Sequence, residues 1–305
     1  MGRQSGANAH ASGAERVDAR DDDGVRGVRE RTHDEGGIHK RGERAAGGRG
    51  ALGRRAIAVR REVIDERRLE LDDPAATGVV GVARILERAR RNDRAYAVEA
   101  ANTHVAALAR SDEEFGESMR RFDMIFPDGM PLVWTLNSRL AAAEKLSDRV
   151  YGPTLMLETL KATNDLPRFK HFLLGGKQAT LDELTRNFAT RFPNVTIAAT
   201  HSPPFGEWPE SEFELIAEKI RASGANLIWV GLGCPKQEHW IAQNKDRLPP
   251  GVYFGIGAAF AFHAGEVKQS PPVLQRLGME WAYRLAMEPR RLFKRYFTYN
   301  SLFLY

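Results

Sequence analysis

The residue best suited to chemistry is Asp128, set between Pro127 and Gly129 where a short apolar run ends. A carboxylate in such a loop, rather than on an exposed helix face, can face a hydroxyl nucleophile and take its proton. The plainer reading of an Asp-Gly pair is a turn or a helix cap. Other polar or glycine residues also follow apolar runs: Asn102-Thr103, Gly175-Gly176, Gly231-Leu-Gly233 and Gly255-Ile-Gly257. Glycines at a strand-to-helix turn let backbone N–H groups approach a phosphate, and the positive end of the helix attracts the anion. Each pair taken singly is a tight turn, but three such turns on one sheet edge suit a nucleotide diphosphate. Gln237 follows Gly-Cys-Pro-Lys in the first turn of a helix, where its amide can reach a ligand or simply face solvent.

Other reactive side chains are less well placed. Cys234 is the sole cysteine, so no disulfide forms within the chain, which fits a reducing compartment. No strand-end histidine obviously pairs with it, and a small turn filler is the expected role. The eight histidines lack metal-ligand spacing, so neither metal nor cofactor is expected.

Positioning these residues requires a sheet. From about Ala95, short apolar runs alternate with amphipathic stretches, the pattern of an α/β fold: a Rossmann-like, mostly parallel sheet with helices on both faces. Strands are expected at Ala95–Ala100, Asp123–Phe126, His171–Leu174, Thr196–Ala199, Asn226–Val230 and Val252–Ile256. Thr180-Leu-Asp-Glu183 reads as a capping box opening a helix to about Phe192, and Pro235 as the first-turn residue of another. The proline-rich stretch His201–Pro209 reads as a loop. In such sheets the ligand lies beyond the carboxyl ends of the strands, where all the candidate residues fall.

The ends of the chain differ from its middle. Residues 1–60 are rich in Gly, Arg, Ala and Asp, with too few large apolar groups to offset chain entropy, and are expected to be a disordered tail without a signal-peptide core. The α/β domain is expected over 61–275. Residues 276–305 hold six basic and two acidic residues among aromatics, a helical appendage suited to an anionic membrane surface or to a lipid-borne diphosphate. Arg284 and Arg291 fall on one helical face, although Pro289 should break the helix. Net charge is +5, with the excess at the two ends, so the middle is acidic and disfavours nucleic acid. No apolar run is long enough to span a bilayer.

Seven ordered strings make the reading specific: Phe126-Pro-Asp-Gly-Met-Pro-Leu-Val-Trp134, Arg149-Val-Tyr-Gly-Pro-Thr-Leu-Met156, Phe172-Leu-Leu-Gly-Gly176, Val230-Gly-Leu-Gly-Cys-Pro-Lys-Gln-Glu238, Gly255-Ile-Gly-Ala-Ala-Phe260, Gly278-Met-Glu-Trp281 and Glu288-Pro-Arg-Arg-Leu292. Together they resemble the WecG/TagA/CpsF family of glycosyltransferases over about residues 79–299. The resemblance implies inverting, metal-independent transfer from a UDP-sugar to N-acetylglucosamine on undecaprenyl diphosphate, at the inner face of the cell membrane. It makes Asp128 the base, and Asn102, Arg149 and Gln237 active-site positions, the last two stabilising diphosphate charge. It assigns Arg284 and Arg291 to a basic appendage that completes the site. Ala100, Thr154 and Ala261 depart from the family pattern, where threonine, aspartate and an acidic residue are common. A homo-oligomer is compatible with all of this.

Two other functional classes share parts of this pattern. A nicotinamide-dependent oxidoreductase shares the sheet, but no G-x-G-x-x-G opens a helix with an acidic residue some 20 positions on. A non-catalytic membrane-docking scaffold would keep the fold, yet has no need of Asp128, Asn102 and Gln237.

Overall fold

The computed structural model describes residues 77–290; the expected tail over 1–60 and the appendage beyond Arg290, including Arg291, lie outside them. The chain enters through α1 (Thr77–Arg91) and β1 (Ala95–Ala101), then α2 (Thr103–Ser111), α3 (Glu113–Arg120), β2 (Met124–Pro127) and α4 (Met130–Asn137). It continues through α5 (Gly152–Thr163), β3 (Lys170–Gly175), α6 (Gln178–Arg191), β4 (Thr196–His201), α7 (Glu210–Ser223) and β5 (Leu227–Gly231). The last elements are α8 (Lys236–Asn244), β6 (Gly251–Gly255), α9 (Ala258–His263), α10 (Pro272–Arg276) and α11 (Glu280–Met287).

All six expected strands form, in one parallel sheet of order β2-β1-β6-β5-β3-β4. Both faces are covered, which is why the strands read as continuous apolar runs rather than alternating ones. On one face Val98, Trp229 and Phe254 pack with Ile85 of α1, Leu160 of α5, Phe188 of α6 and Phe260 of α9. On the other, Phe172, Ile228 and Tyr253 pack with Val105 of α2, Phe115 of α3, Ile220 of α7 and Ile241 of α8. Neighbouring β1 and β6 therefore send their helices, α2 and α9, to opposite faces. Their carboxyl ends open a crevice of the kind that takes ligands in doubly wound sheets.

Two local expectations need correction. The helix after β3 starts at Gln178, ahead of Thr180, and its cap residue Lys177 makes no side-chain capping bond. The Thr180 hydroxyl donates instead to Glu266, so a tertiary partner displaces the capping box. Pro235 precedes α8 as its cap residue, after a cis Cys234–Pro235 peptide, rather than opening its first turn. The 201–209 loop holds except that His201 closes β4. α11 stops at Met287 with Glu288 as its cap, just before Pro289, as a residue that cannot join the ladder requires.

Candidate active site

The site is built outward from Asp128. Its backbone N–H donates to the Ala101 carbonyl at 2.8 Å, which seats it beside Asn102 at the end of the neighbouring strand. Its Oδ1 accepts the N–H of Gly152, the first residue of α5, at 2.8 Å. Burial pushes the carboxyl up to about 7, against the Gly152 N–H and the charge of Arg149, which pull it down; Glu280 raises it further and Arg284 lowers it. A carboxyl with one oxygen held and its proton balanced near neutrality is suited to general-base work.

Asn102 caps α2: its Oδ1 accepts the N–H groups of His104 and Val105 at 3.0 and 3.2 Å. Thr103 opens the same helix.

Arg149 is held by protein groups. One of its nitrogens donates to Glu280 Oε2 at 2.8 Å and, at 3.4 Å, to the carbonyl of Asp128; the other donates to Gln275 Oε1 at 3.0 Å. Its guanidinium lies 4.3 Å from the Tyr151 ring centre, and the Tyr151 hydroxyl donates to Glu280 Oε1 at 2.7 Å. Burial and the Glu280 charge raise the proton affinity of that phenol. With these donors on protein groups, Arg149 braces Asp128 and fastens α11 to the sheet domain. Arg284 is the freer cation. Its guanidinium sits 5.3 Å from the Phe262 ring centre, its charge acts on Asp128 and Tyr151, and its buried Nε lacks a hydrogen-bond partner among the described residues. Beside Arg149 a cavity of about 160 Å³ is lined by Thr154, Glu158 and Gln275 among others.

Gln237 is buried; its Oε1 accepts the N–H groups of both Gly233 and Gly257 at 3.1 Å, and its Nε2 donates to Glu238 at 3.0 Å. Gln237 is thus a clamp joining the turns after β5 and β6. Gly175, at φ +105°, lies so close to Gly231 that a Cβ would come within 2.6 Å of its carbonyl oxygen, while a Cβ on Gly231 would meet the Phe260 ring at 2.6 Å. Gly176 gives its carbonyl to the Ser202 hydroxyl at 2.7 Å. Cys234, contrary to expectation, does have a histidine: His104 Nδ1 lies 3.6 Å from its Sγ.

Four groups at this rim were not singled out from the sequence: Tyr151, Glu280, and the buried carboxyls Glu99 and Glu238. The glutamate within the otherwise apolar run Ala95-Tyr-Ala-Val-Glu-Ala-Ala101 was the available signal, since an ionisable side chain in a central strand is costly. Glu280 lies inside Gly278-Met-Glu-Trp281, but its partners Arg149 and Tyr151 are more than a hundred residues away.

The profile of the glycosyl transferase WecG/TagA/CpsF family matches residues 71–305. Two N-acetylglucosaminyldiphosphoundecaprenol N-acetyl-beta-D-mannosaminyltransferases are similar to the chain. That of Bacillus subtilis (strain 168) is 28% identical over 194 residues, 64% of this chain and 72% of its own. That of Staphylococcus aureus (strain MW2) is 29% identical over 192 residues, 63% and 72% respectively. A parallel sheet whose strand ends gather Asn102, Asp128 and Arg149, matched by the family profile over most of the chain, leaves one assignment: the protein belongs to the WecG/TagA/CpsF family of glycosyltransferases.

Proposed function

We propose that the protein moves a sugar, of the N-acetylmannosamine type or its relatives, from a UDP donor to an N-acetylglucosamine carried on a polyprenyl diphosphate, in cell-surface polysaccharide synthesis. The observation that carries this is Asp128, one oxygen fixed by Gly152 and its proton affinity poised at about 7. The acceptor hydroxyl oxygen forms a bond to the anomeric carbon as the bond from that carbon to the diphosphate breaks, its electron pair leaving with UDP. The hydroxyl proton passes to Asp128 Oδ2. Attack opposite the leaving group inverts the anomeric centre. Arg284 neutralises developing diphosphate charge, the work expected of Arg149, and Asn102 Nδ2 orients a sugar or phosphate oxygen.

The acceptor's lipid calls for a membrane-facing side. Trp134, Leu277, Met279, Trp281 and Met287 are exposed around the junction of α4 with α10 and α11, where Gly278 lets the Trp134 ring approach. Aromatic and apolar groups of this kind, followed by the basic segment 290–295, suit the interface of an anionic bilayer. No helix among the described residues is long and apolar enough to cross a membrane. The protein then works as a peripheral enzyme at the inner face. The test is turnover of a panel of UDP-sugars with a lipid-linked N-acetylglucosamine acceptor in liposomes. Product formation that Asp128→Asn abolishes supports the reading; absence of product with every UDP-sugar overturns it.

A further inference from the structure

The crevice has a second carboxylate device behind it. Glu99 is 2% exposed on the central strand β1, and its Oε2 has no hydrogen-bond partner among the described residues. Its register partner across the sheet is Gly255, the last residue of β6. A Cβ on Gly255 would lie 2.1 Å from Glu99 Oε2 and 3.5 Å from Gln237 Nε2, so the carboxyl fills the space over that glycine and faces the clamp. Gln237 Nε2 is in turn committed to Glu238, which is wholly buried. Two carboxyls and one amide are therefore packed in a dry layer directly under the turns that end β5 and β6.

Both carboxyls cannot be charged there without strong repulsion, because desolvation and a like neighbour each disfavour ionisation. Burial first, then the charges of Glu238 and Asp128, hold the Glu99 proton far above the ordinary carboxylate range. The other titratable or charged groups on the elements packed here are Tyr96 of β1, His104 and Arg110 of α2, Lys236 and His239 of α8, and Tyr253 of β6; His104 lies beside Cys234 and His239 Nδ1 meets the Ser118 hydroxyl. Neutral Glu99 lets Glu238 remain the acceptor for Gln237, and Gln237 then holds the Gly233 and Gly257 amides together.

We infer that Glu99 is a positioning residue for nucleotide binding: as a neutral carboxyl wedged over Gly255 it backs the Gln237 clamp, and losing its proton loosens the two glycine turns that frame the donor. This rests on the UDP-dependent reading above, and it adds a pH-sensitive element that the transfer chemistry itself does not require. By linkage, if UDP favours protonated Glu99 by about one pKa unit, affinity falls about tenfold once the site ionises.

The experiment is calorimetric titration of the full-length protein with UDP across a pH series running upward from the ordinary carboxylate range. It is run on the parent protein, Glu99→Gln and Glu238→Gln, all in an Asp128→Asn background so that residue 128 does not titrate. UDP's own ionisation is common to the three and cancels. The expected result is weakening of UDP binding on the alkaline side in the parent, a flat response relative to it in Glu99→Gln, and, in Glu238→Gln, weakening that begins at lower pH because Glu99 has lost its like-charged neighbour. Should Glu99→Gln fail to fold, Glu238→Gln makes the same test from the other side of the pair. Equal pH responses in parent and folded variants overturn the inference alone; no UDP binding by the parent at any pH overturns it together with the donor assignment.

Discussion

The two flanks of Asp128 are held by different means. Towards β5 and β6 the rim is fixed without an ion pair: Gln237 of α8 lies between two glycine amides, with Glu238 behind it. Towards the appendage it is fixed by charge: Arg149 and Tyr151 both grip Glu280 of α11, with Gln275 of α10 assisting. The first joins the ends of parallel strands that the core already fixes. The second joins the sheet domain to a helix with exposed Trp281 and Met287. A rigid flank suits a soluble donor; a latched flank suits an acceptor that arrives from a membrane.

The sharpest test removes what the flanks share. Asp128→Asn should lower turnover by about 10²–10⁴-fold while UDP still binds, measured by transfer assay and calorimetry. The parent should show kcat/KM rising with pH through about 7, as the base form fills. Because burial raises this carboxyl, its ionisation costs stability, a cost that grows as pH climbs from the ordinary carboxylate range towards that value. Asp128→Asn should therefore melt no lower than the parent on the alkaline side, by calorimetric scan.

Breaking the charged flank comes next. Arg149→Met strands Glu280 in a largely buried setting, and should lower stability by about 3 kcal/mol in denaturant titration and quicken proteolysis near α11. Breaking the other flank costs less: Gln237→Leu orphans two glycine amides, about 1–3 kcal/mol, and should raise the donor KM with proteolysis near α11 unchanged. If both variants loosen α11 equally, the two flanks are one unit and the contrast fails. Smallest of all, EDTA should leave the transfer rate as it was; a metal-dependent rate would place a cation where Arg284 is assigned.

Strand positions were legible because a doubly covered parallel sheet needs unbroken apolar runs, and each run from Ala95 to Ile256 met that need locally. The gathering of Asn102 and Asp128 was legible too, since consecutive strand ends share one edge. Turn chemistry was read less well. Thr180 has the spacing of a cap but finds Glu266, and Gln237 stands where an amide can meet ligand but turns inward to two glycines. Glu266 lies 86 residues from Thr180, and Gln237 bridges Gly233 four residues before it to Gly257 twenty after, so the sheet's folding rather than local spacing sets both pairings.

The amino-acid sequence by itself determined the elements, their edge and the family, because periodicity, glycine placement and ordered motifs are properties of neighbouring residues. Only the tertiary structure decided that Arg149 serves Glu280, that His104 lies against Cys234 and that Glu99 and Gln237 both lie over Gly255. Those pairings depend on which strands become neighbours and which helix folds back over them, and charge and hydrogen bonding act through space, not along the chain.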